Sequence, residues 1–360
     1  MLLEQVRLAN FRNYERLDVE PAPGLNIFVG PNAQGKSNLL EAIAMLATGK
    51  SFRAHRESEL IRSGTLLAEI GGDARIVAGR IRLRCAIDRS SGATRKTFDV
   101  NGAAVGFARF LGQARVVTFI PADLALVAGG PALRRSFLNV ALAQASPAYY
   151  ADLARYAKII GHKAALLRGA IPPDRDLLLA YNDELAPPGR ALMRARAAFI
   201  TEIAAAVAVI YDRWRAARER IRVTYAPHAG GADLGDVLAA NVDMEMRRHQ
   251  TLVGPHRDDL RIELNGKPLA AYGSQGQQRT AVLALKVAEY EVMRRRAGDA
   301  PILLLDDVLS ELDAGRAAGF LEAIGSFEQA FLTTTELPGG AGGEMTAFAI
   351  RDGVVDRLAC

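Results

Sequence analysis

Cysteine is scarce in this 360-residue chain. The two that occur, Cys85 and Cys360, lie far apart, so they supply neither a disulfide framework nor a cysteine metal site, and a reducing compartment is expected. Aromatics are few, at 6% with one tryptophan, which leaves a core built on Leu, Ala, Val and Ile. The longest apolar stretch, residues 203–211, is too short to cross a bilayer. Met1-Leu2-Leu3-Glu4-Gln5 has an early acid and opens no apolar segment of signal-peptide length. A cytoplasmic protein without a membrane partner is expected. Internal repeats, low-complexity tracts and long heptad runs are also missing. What is present is a globular balance of 50% hydrophobic and 24% charged residues, which excludes a disordered chain. The length suggests two domains or one elaborate one. A net charge of +5 permits a nucleic-acid partner without demanding one.

The pattern along the chain is α/β with a helical insert. Val6, Leu8 and Leu17, Val19 flank a polar turn, Asn10-Phe11-Arg12-Asn13-Tyr14. Residues 25–29 read as a buried strand running into Gly30, and Leu39, Leu40, Ile43 and Leu46 follow at helical spacing. In residues 80–88, Ile81, Leu83, Cys85 and Ile87 alternate with Arg80, Arg82 and Arg84, a half-buried strand. Residues 130–222 are Ala-, Leu- and Arg-rich, with breaks expected at Pro147, Pro172-Pro173 and Pro187-Pro188 and the longest helix near 191–220. Strands return at 221–225 and 260–264, the latter ending in the hairpin signal Asn265-Gly266. A helix over 275–296 precedes the fully apolar strand 302–305. The boundaries read as 1–125 plus 221–360 for an α/β head with a β-rich lobe, and 126–220 for the helical insert.

Between the strand at 25–29 and the helix after it lies Gly30-Pro31-Asn32-Ala33-Gln34-Gly35-Lys36-Ser37, a phosphate-loop pattern in its confirming context. A turn through Gly30, Asn32 and Gly35 aims backbone N–H groups at phosphate oxygens, and the helix start adds about half a positive charge. Lys36 reaches the β- and γ-phosphates, and the Ser37 hydroxyl ligates Mg²⁺. The strand at 302–305 ends in Asp306-Asp307. Asp306 would hold the metal, and Asp307 would orient or deprotonate the attacking water. These anchors lie 270 residues apart, Lys36 to Asp306, yet their strands should be neighbours in one sheet. Ser274-Gln275-Gly276-Gln277-Gln278-Arg279 opens the helix before the acidic strand, and Ser310-Glu311-Leu312-Asp313 follows it. Together these motifs define the head of an ABC-type P-loop ATPase, using ATP and Mg²⁺.

The order and spacing resemble the RecF recombination-repair family, relatives of the SMC-type heads. The matching segments are residues 10–14, 30–43, 252–259, 273–279, 303–313 and 333–335. The resemblance implies that Ser274, Gln275 and Gly276 form the signature that caps the γ-phosphate held by a second protomer, so ATP joins two copies. It implies nucleotide contacts for Arg12 and Asn13 and a place at the dimer seam for Asp313. It also implies duplex and gapped DNA as ligands, RecR- and RecO-type mediators as partners, and assistance in loading recombinase. Two departures from the general ABC pattern agree with RecF: Asp307 stands in place of glutamate, and Thr333-Thr334-Thr335 in place of a switch histidine. Asp307 is one methylene short, which suggests slow hydrolysis, and the resemblance implies that this hydrolysis depends on DNA. The alternative of another class is the ATP-binding subunit of a membrane transporter; a third is a non-enzymatic nucleotide-gated scaffold.

Basic charge is concentrated. Residues 75–96 carry net +6 and residues 190–222 net +5, so the remainder is net negative. Arg80, Arg82 and Arg84 form a row suited to DNA phosphates, or a solvated face with internal ion pairs. His256 has no second histidine at ligand spacing, which favours a structural or coupling role. Tyr149, Tyr150, Tyr156 and Trp214 read as core packing.

Overall fold

The computed structural model describes residues 1–169, 173–214, 219–308, 327–337 and 345–358. The chain divides into two compact units, Met1–Asp123 with Glu289–Cys360, and Leu124–Ala288. The first unit opens with β1 (Leu2–Phe11), β2 (Tyr14–Val19), β3 (Gly24–Val29), α1 (Lys36–Thr48), β4 (Leu67–Ile76), β5 (Gly79–Asp88), β6 (Arg95–Val100), β7 (Ala103–Val105), the single turn α2 (Phe107–Phe110) and β8 (Val116–Phe119). The second unit holds α3 (Ala125–Ala128), α4 (Pro131–Ala145), α5 (Pro147–Arg168), α6 (Arg175–Trp214), β9 (Ile221–Ala226), α7 (Leu234–Ala240), α8 (Val242–Arg248), β10 (Asp259–Leu264), β11 (Lys267–Pro268) and α9 (Leu269–Tyr272). Helix α10 (Gln275–Ala297) leads back to the first unit, which closes with β12 (Ile302–Asp306), β13 (Gln329–Thr334), β14 (Met345–Arg351) and β15 (Val354–Arg357).

Among the described residues the first unit contains two six-stranded sheets. One has the order β2-β1-β4-β5-β6-β7 and is antiparallel throughout. The other has the order β15-β14-β3-β13-β12-β8 and is parallel except at β15. Helix α1 packs against strands of both sheets, which explains its apolar surround: Leu39, Leu40, Ala42, Ile43, Met45 and Leu46 are all buried. Each buried Leu or Ile contributes about 1.5–3 kcal/mol. Gly72 on β4 admits the helix, since a Cβ there would lie 2.7 Å from Leu46 Cδ1. Phe28 on β3 stacks against Phe348 with ring centroids 4.9 Å apart.

The second unit is helical, with a small β11-β10-β9 sheet. The sequence reading ends the insert at 220; the compact unit runs on to Ala288, because β9 packs on α6 and β10 on α4. The expected break at Pro187-Pro188 does not occur: both prolines lie inside the 40-residue α6. An interior proline costs about 3 kcal/mol. Packing offsets it, through a buried stripe at 178, 182, 185, 189, 192, 196, 199, 203, 206 and 210. These steps alternate four and three, a heptad seam hidden in sequence by Asn182, Gly189 and Arg196. Pro147 does begin a helix, as the first residue of α5, with Ser146 as the cap. Among the described residues, no helix is long and apolar enough to cross a membrane.

The seam predicts a specific cost. Phe199 is fully buried in it, so Phe199→Ala should destabilise the second unit by about 3–5 kcal/mol. Urea unfolding followed by far-UV circular dichroism tests this, and a change under 1 kcal/mol would mean that α6 holds without its seam.

Candidate functional site

The loop between β3 and α1 is shaped by close backbone approaches. A side chain at Gly30 would run into the carbonyl oxygen of Ile350 on β14. Ala33 and Gly35 have φ of 65° and 112°, and a Cβ on Gly35 would lie 2.6 Å from Asn13 Nδ2. Asn32 is exposed at the loop tip. Gly35 caps α1 without a side chain, so the first-turn amides remain for an anion. Lys36 is 8% exposed. Its ammonium donates to the carbonyls of Gly30 at 2.5 Å and Pro31 at 2.7 Å, closing the loop on itself. Burial pulls that ammonium below its ordinary pKa, while Asp307 and Asp306 oppose the shift.

The two motif strands share a sheet but are not neighbours: β13 lies between β3 and β12. Parallel register sets Thr333 opposite Asp306 and opposite Phe28. Ser37 Oγ donates to Asp306 Oδ1 at 2.7 Å, joining loop and acidic strand. Thr333 Oγ1 donates to the same oxygen at 2.8 Å and accepts the Asp307 N–H at 3.0 Å. Asp307 itself has φ 52°, left-handed for a non-glycine. Ser37 and Asp306 offer the hard oxygens that Mg²⁺ prefers. No group of three or more His, Cys, Asp or Glu among the described residues could hold a metal, so a Mg²⁺ ion here would share its ligands with phosphate oxygens and water.

Arg12 and Asn13 stand beside the loop, each already held. Arg12, at φ 52°, donates to both oxygens of Glu41, at 2.9 and 2.7 Å, and to the Glu59 carbonyl at 3.0 Å. Asn13 donates to the Gln34 carbonyl at 3.0 Å and accepts from Asn38 at 2.6 Å. Glu41, fully buried on α1, also pairs with Arg53 at 3.0 Å. The hydrogen bonds from Arg12 and Ser51 and the two cations overcome desolvation and hold its carboxyl below the usual range. Arg12, Asn13, Asn38 and Arg53 line an open pocket next to the loop. Sequence reasoning gave no role to Glu41 or to the β14–β15 turn, where Asp352 N–H donates to Gln34 Oε1 at 2.6 Å, and singled out Thr333 only as part of the segment in the switch-histidine place. A carboxylate inside an otherwise apolar helical face was the one available signal.

Ser274, Gln275 and Gly276 begin α10 in the second unit. Ser274 Oγ accepts the Gln277 N–H at 3.2 Å and Gln277 Oε1 accepts the Ser274 N–H at 2.7 Å, a capping box. Ser274 and Gln275 are exposed. Asp313, with Ser310, lies outside the described residues. In the same unit, residues 254–259 are knitted together by Arg196, which is 2% exposed. Arg196 donates to Tyr149 Oη, the Pro255 carbonyl, Asp258 Oδ2 and Asn139 Oδ1. Tyr149 and Tyr156 are core residues, and Tyr156 Oη bonds His256 Nδ1 at 2.7 Å. Burial, with the cations Arg257 and Arg135, pushes the His256 imidazole down to about 4.

The arginine row alternates as expected, with Ile81, Leu83 and Cys85 buried on the other face. Each of its arginines is paired at close range, with Glu4 shared with Arg75 and Asp73 shared with Arg7. Arg80 pairs with Glu4 at 3.2 Å, Arg82 with Asp73 at 2.8 Å, and Arg84 with Glu69 and Asp99. Of the second basic stretch, Arg190 is taken by Asp233 at 3.0 Å.

A phosphate loop joined to an acidic strand across a mostly parallel sheet, with an antiparallel sheet on the other side of α1, defines an ABC-type ATPase head of the SMC kind. The family model described as the RecF/RecN/SMC N terminal domain matches residues 2–338. The chain is 40% identical over 352 residues to "DNA replication and repair protein RecF" of Symbiobacterium thermophilum, covering 94% of this chain and 92% of that one. A solved structure of the recombination mediator protein RecF with ATP in the RecFOR pathway superposes with TM-score 0.90 and 31% identity, over 99% of this chain and 98% of that one. The Smc head domain of Pyrococcus yayanosii shares the fold, with TM-score 0.61 at 14% identity and coverage of 99% and 97%. The chain belongs to the RecF family.

The His256 environment predicts an acid-side loss of stability. Its folded pKa of about 4 lies below the unfolded value of about 6.5. The unfolded chain therefore takes up the proton first, and stability falls as pH drops from about 6.5 to about 4. His256→Gln should flatten this part of the stability-against-pH curve in denaturant titrations between pH 7 and pH 4; an unchanged slope would refute the assignment.

Proposed function

We propose that the chain is a weak, DNA-dependent ATPase of recombinational repair and replication-fork maintenance, acting in the cytoplasm. ATP and Mg²⁺ bind at residues 30–37 and Asp306, and ATP joins two copies. The joined pair holds duplex DNA at single-strand gaps and, with RecR- and RecO-type mediators, assists recombinase loading. The observation that carries the nucleotide site is the 2.7 Å bond from Ser37 to Asp306, which brings the two anchors of a P-loop ATPase together. The rest is supported by membership of a family whose relatives are named as replication and repair proteins, a membership that leaves the transporter alternative without support.

In this reading the loop amides and Lys36 bind the phosphates, and Arg12 and Asn13 flank the nucleotide. Ser37 and Asp306 hold the metal, which neutralises charge on the phosphate oxygens. Asp307 orients water and accepts its proton as the water oxygen bonds the γ-phosphorus and the bond to the β–γ bridging oxygen breaks, giving ADP and phosphate. A carboxylate one methylene shorter than glutamate reaches that water less well, which makes the protein a switch more than a motor. Ser274, Gln275 and Gly276 of one copy cap the γ-phosphate on the other, and Asp313 lies at the seam.

Mixing tests the composite site. Lys36→Met removes the cation at the phosphates and Ser274→Arg blocks the helix start, so each protein alone should neither pair in ATP nor hydrolyse it. Together they should recover part of the ATPase activity, since one intact loop then meets one intact signature. If Ser274→Arg instead weakens ATP binding by the monomer, Ser274 contacts nucleotide in its own chain and the composite reading is wrong.

DNA contacts by Arg80, Arg82 and Arg84 carry their own expectation. Three free arginines would contribute about 2.7 to the slope of log affinity against log salt, at about 0.9 each. Here DNA must displace Glu4, Asp73, Glu69 and Asp99 from them. Triple replacement by Ala should therefore lower the slope by less than about 1. A fall near 2.7 would show that the carboxylates leave the row entirely when DNA binds.

A further inference from the structure

The hydroxyl of Thr333 is in contact with both members of the Asp306-Asp307 pair. Thr333 is 1% exposed, and parallel pairing sets it opposite Asp306. Its oxygen lies 2.8 Å from Asp306 Oδ1 and 3.4 Å from the Leu305 carbonyl. The nearer, charged acceptor takes the hydroxyl proton. The oxygen's lone pair in turn accepts the Asp307 N–H at 3.0 Å, at a residue whose φ of 52° needs an external hold. One hydroxyl therefore sets the rotation of one carboxylate and the backbone from which the next projects. Ser37 donates to the same Asp306 oxygen from the other side, but its hydroxyl is also the group that would move to a metal. Thr333 is buried where Ser37 is half-buried, so it is the partner that can keep its bond to Asp306 if Ser37 turns to a metal.

We propose that Thr333 is a positioning residue that orients Asp306 for Mg²⁺ and aims Asp307 at the attacking water. This rests on the reading of Asp306 as the metal-holding carboxylate. It assigns a function to a strand that carries no acidic or phosphate-binding motif.

The test titrates Mg²⁺ against full-length protein and a non-hydrolysable ATP analogue, with analogue binding followed by calorimetry. Thr333→Val keeps the shape and removes donor and acceptor. It should raise the Mg²⁺ concentration required by about ten-fold or more, the usual effect of losing a partner of a metal ligand. Binding of the analogue without Mg²⁺ should be unchanged. Thr333→Ser, which keeps the hydroxyl and drops the methyl, should return the Mg²⁺ requirement to near the wild-type value. An unshifted requirement in Thr333→Val overturns the inference, as does a Thr333→Ser protein that behaves like Thr333→Val. Asp306→Asn in the same titration separates the two levels. If it shifts the requirement while Thr333→Val does not, only the positioning role fails; if neither shifts it, the reading of Asp306 fails as well. Should Thr333→Val not fold, Thr333→Ala replaces it, and amide exchange at Asp307 in the wild-type protein gives an independent check. Slow exchange supports the bond, and exchange at the rate of an exposed amide overturns it.

Discussion

The hydrogen bond from Ser37 to Asp306 spans 269 residues of sequence, and the geometry of the site follows from what allows it. The loop must leave β3 at a height that brings α1 over β12, and β13 must lie between the two strands. Register fixes that height: β13 pairs Thr333 with Phe28 on one side and with Asp306 on the other. A slip of one residue would turn Thr333 to the other face of the sheet and remove its contact with Asp306. The site thus depends on ladder pairing of three parallel strands more than on any single ion pair.

Below the loop, the same constraint acts through α1. Both faces of the helix are covered, so its burial stabilises the unit but leaves no solvent for a charged residue. Glu41 is tolerated there because Arg12, Arg53 and Ser51 satisfy it. A buried carboxylate of this kind adds little net stability. What it does is fix Arg12 beside the loop, from a turn that approaches from β1 and β2. Asn13, Tyr14 and the β14–β15 turn meet the loop at Gln34 and Gly35. Residues far apart in sequence thereby hold one short segment in a conformation that phosphate binding requires.

Much of this was legible in the sequence because the signals were local. The phosphate loop, the apolar strand ending in Asp306, the helix from 275 and the alternation at 80–88 each depend on residues within a few positions of one another. What was not legible was non-local. The strand between β3 and β12 is β13, whose Thr333-Thr334-Thr335 stood out only as the place of a switch histidine, and nothing local linked Thr333 to Asp306. The carboxylates that pair with Arg80, Arg82 and Arg84 come from β1, β4 and β6. Composition counted their charge without revealing that they face the row. The continuity of α6 was concealed for a related reason. Pro187 and Pro188 signal a break locally, whereas the seam that overrides them includes a glycine, an asparagine and an arginine that no apolar count would include.

That arginine explains why the seam is not simply apolar. Dispersion is non-directional, so a leucine at 196 would pack against neighbours without fixing their orientation. The planar guanidinium of Arg196 instead addresses Asn139 on α4, Tyr149 on α5, the Pro255 carbonyl and Asp258. Asp258 is also bound by Tyr225 on β9 and by the His228 N–H. Three helices, a strand and the loop at 254–259 therefore share one set of directed bonds. Lys163, buried between Asn182 and Glu245 at 2.5 Å from each, does the same where α5, α6 and α8 meet. Each hub costs desolvation and returns orientation. The second unit accepts that cost where a long, proline-interrupted helix would otherwise slide or rotate against its neighbours.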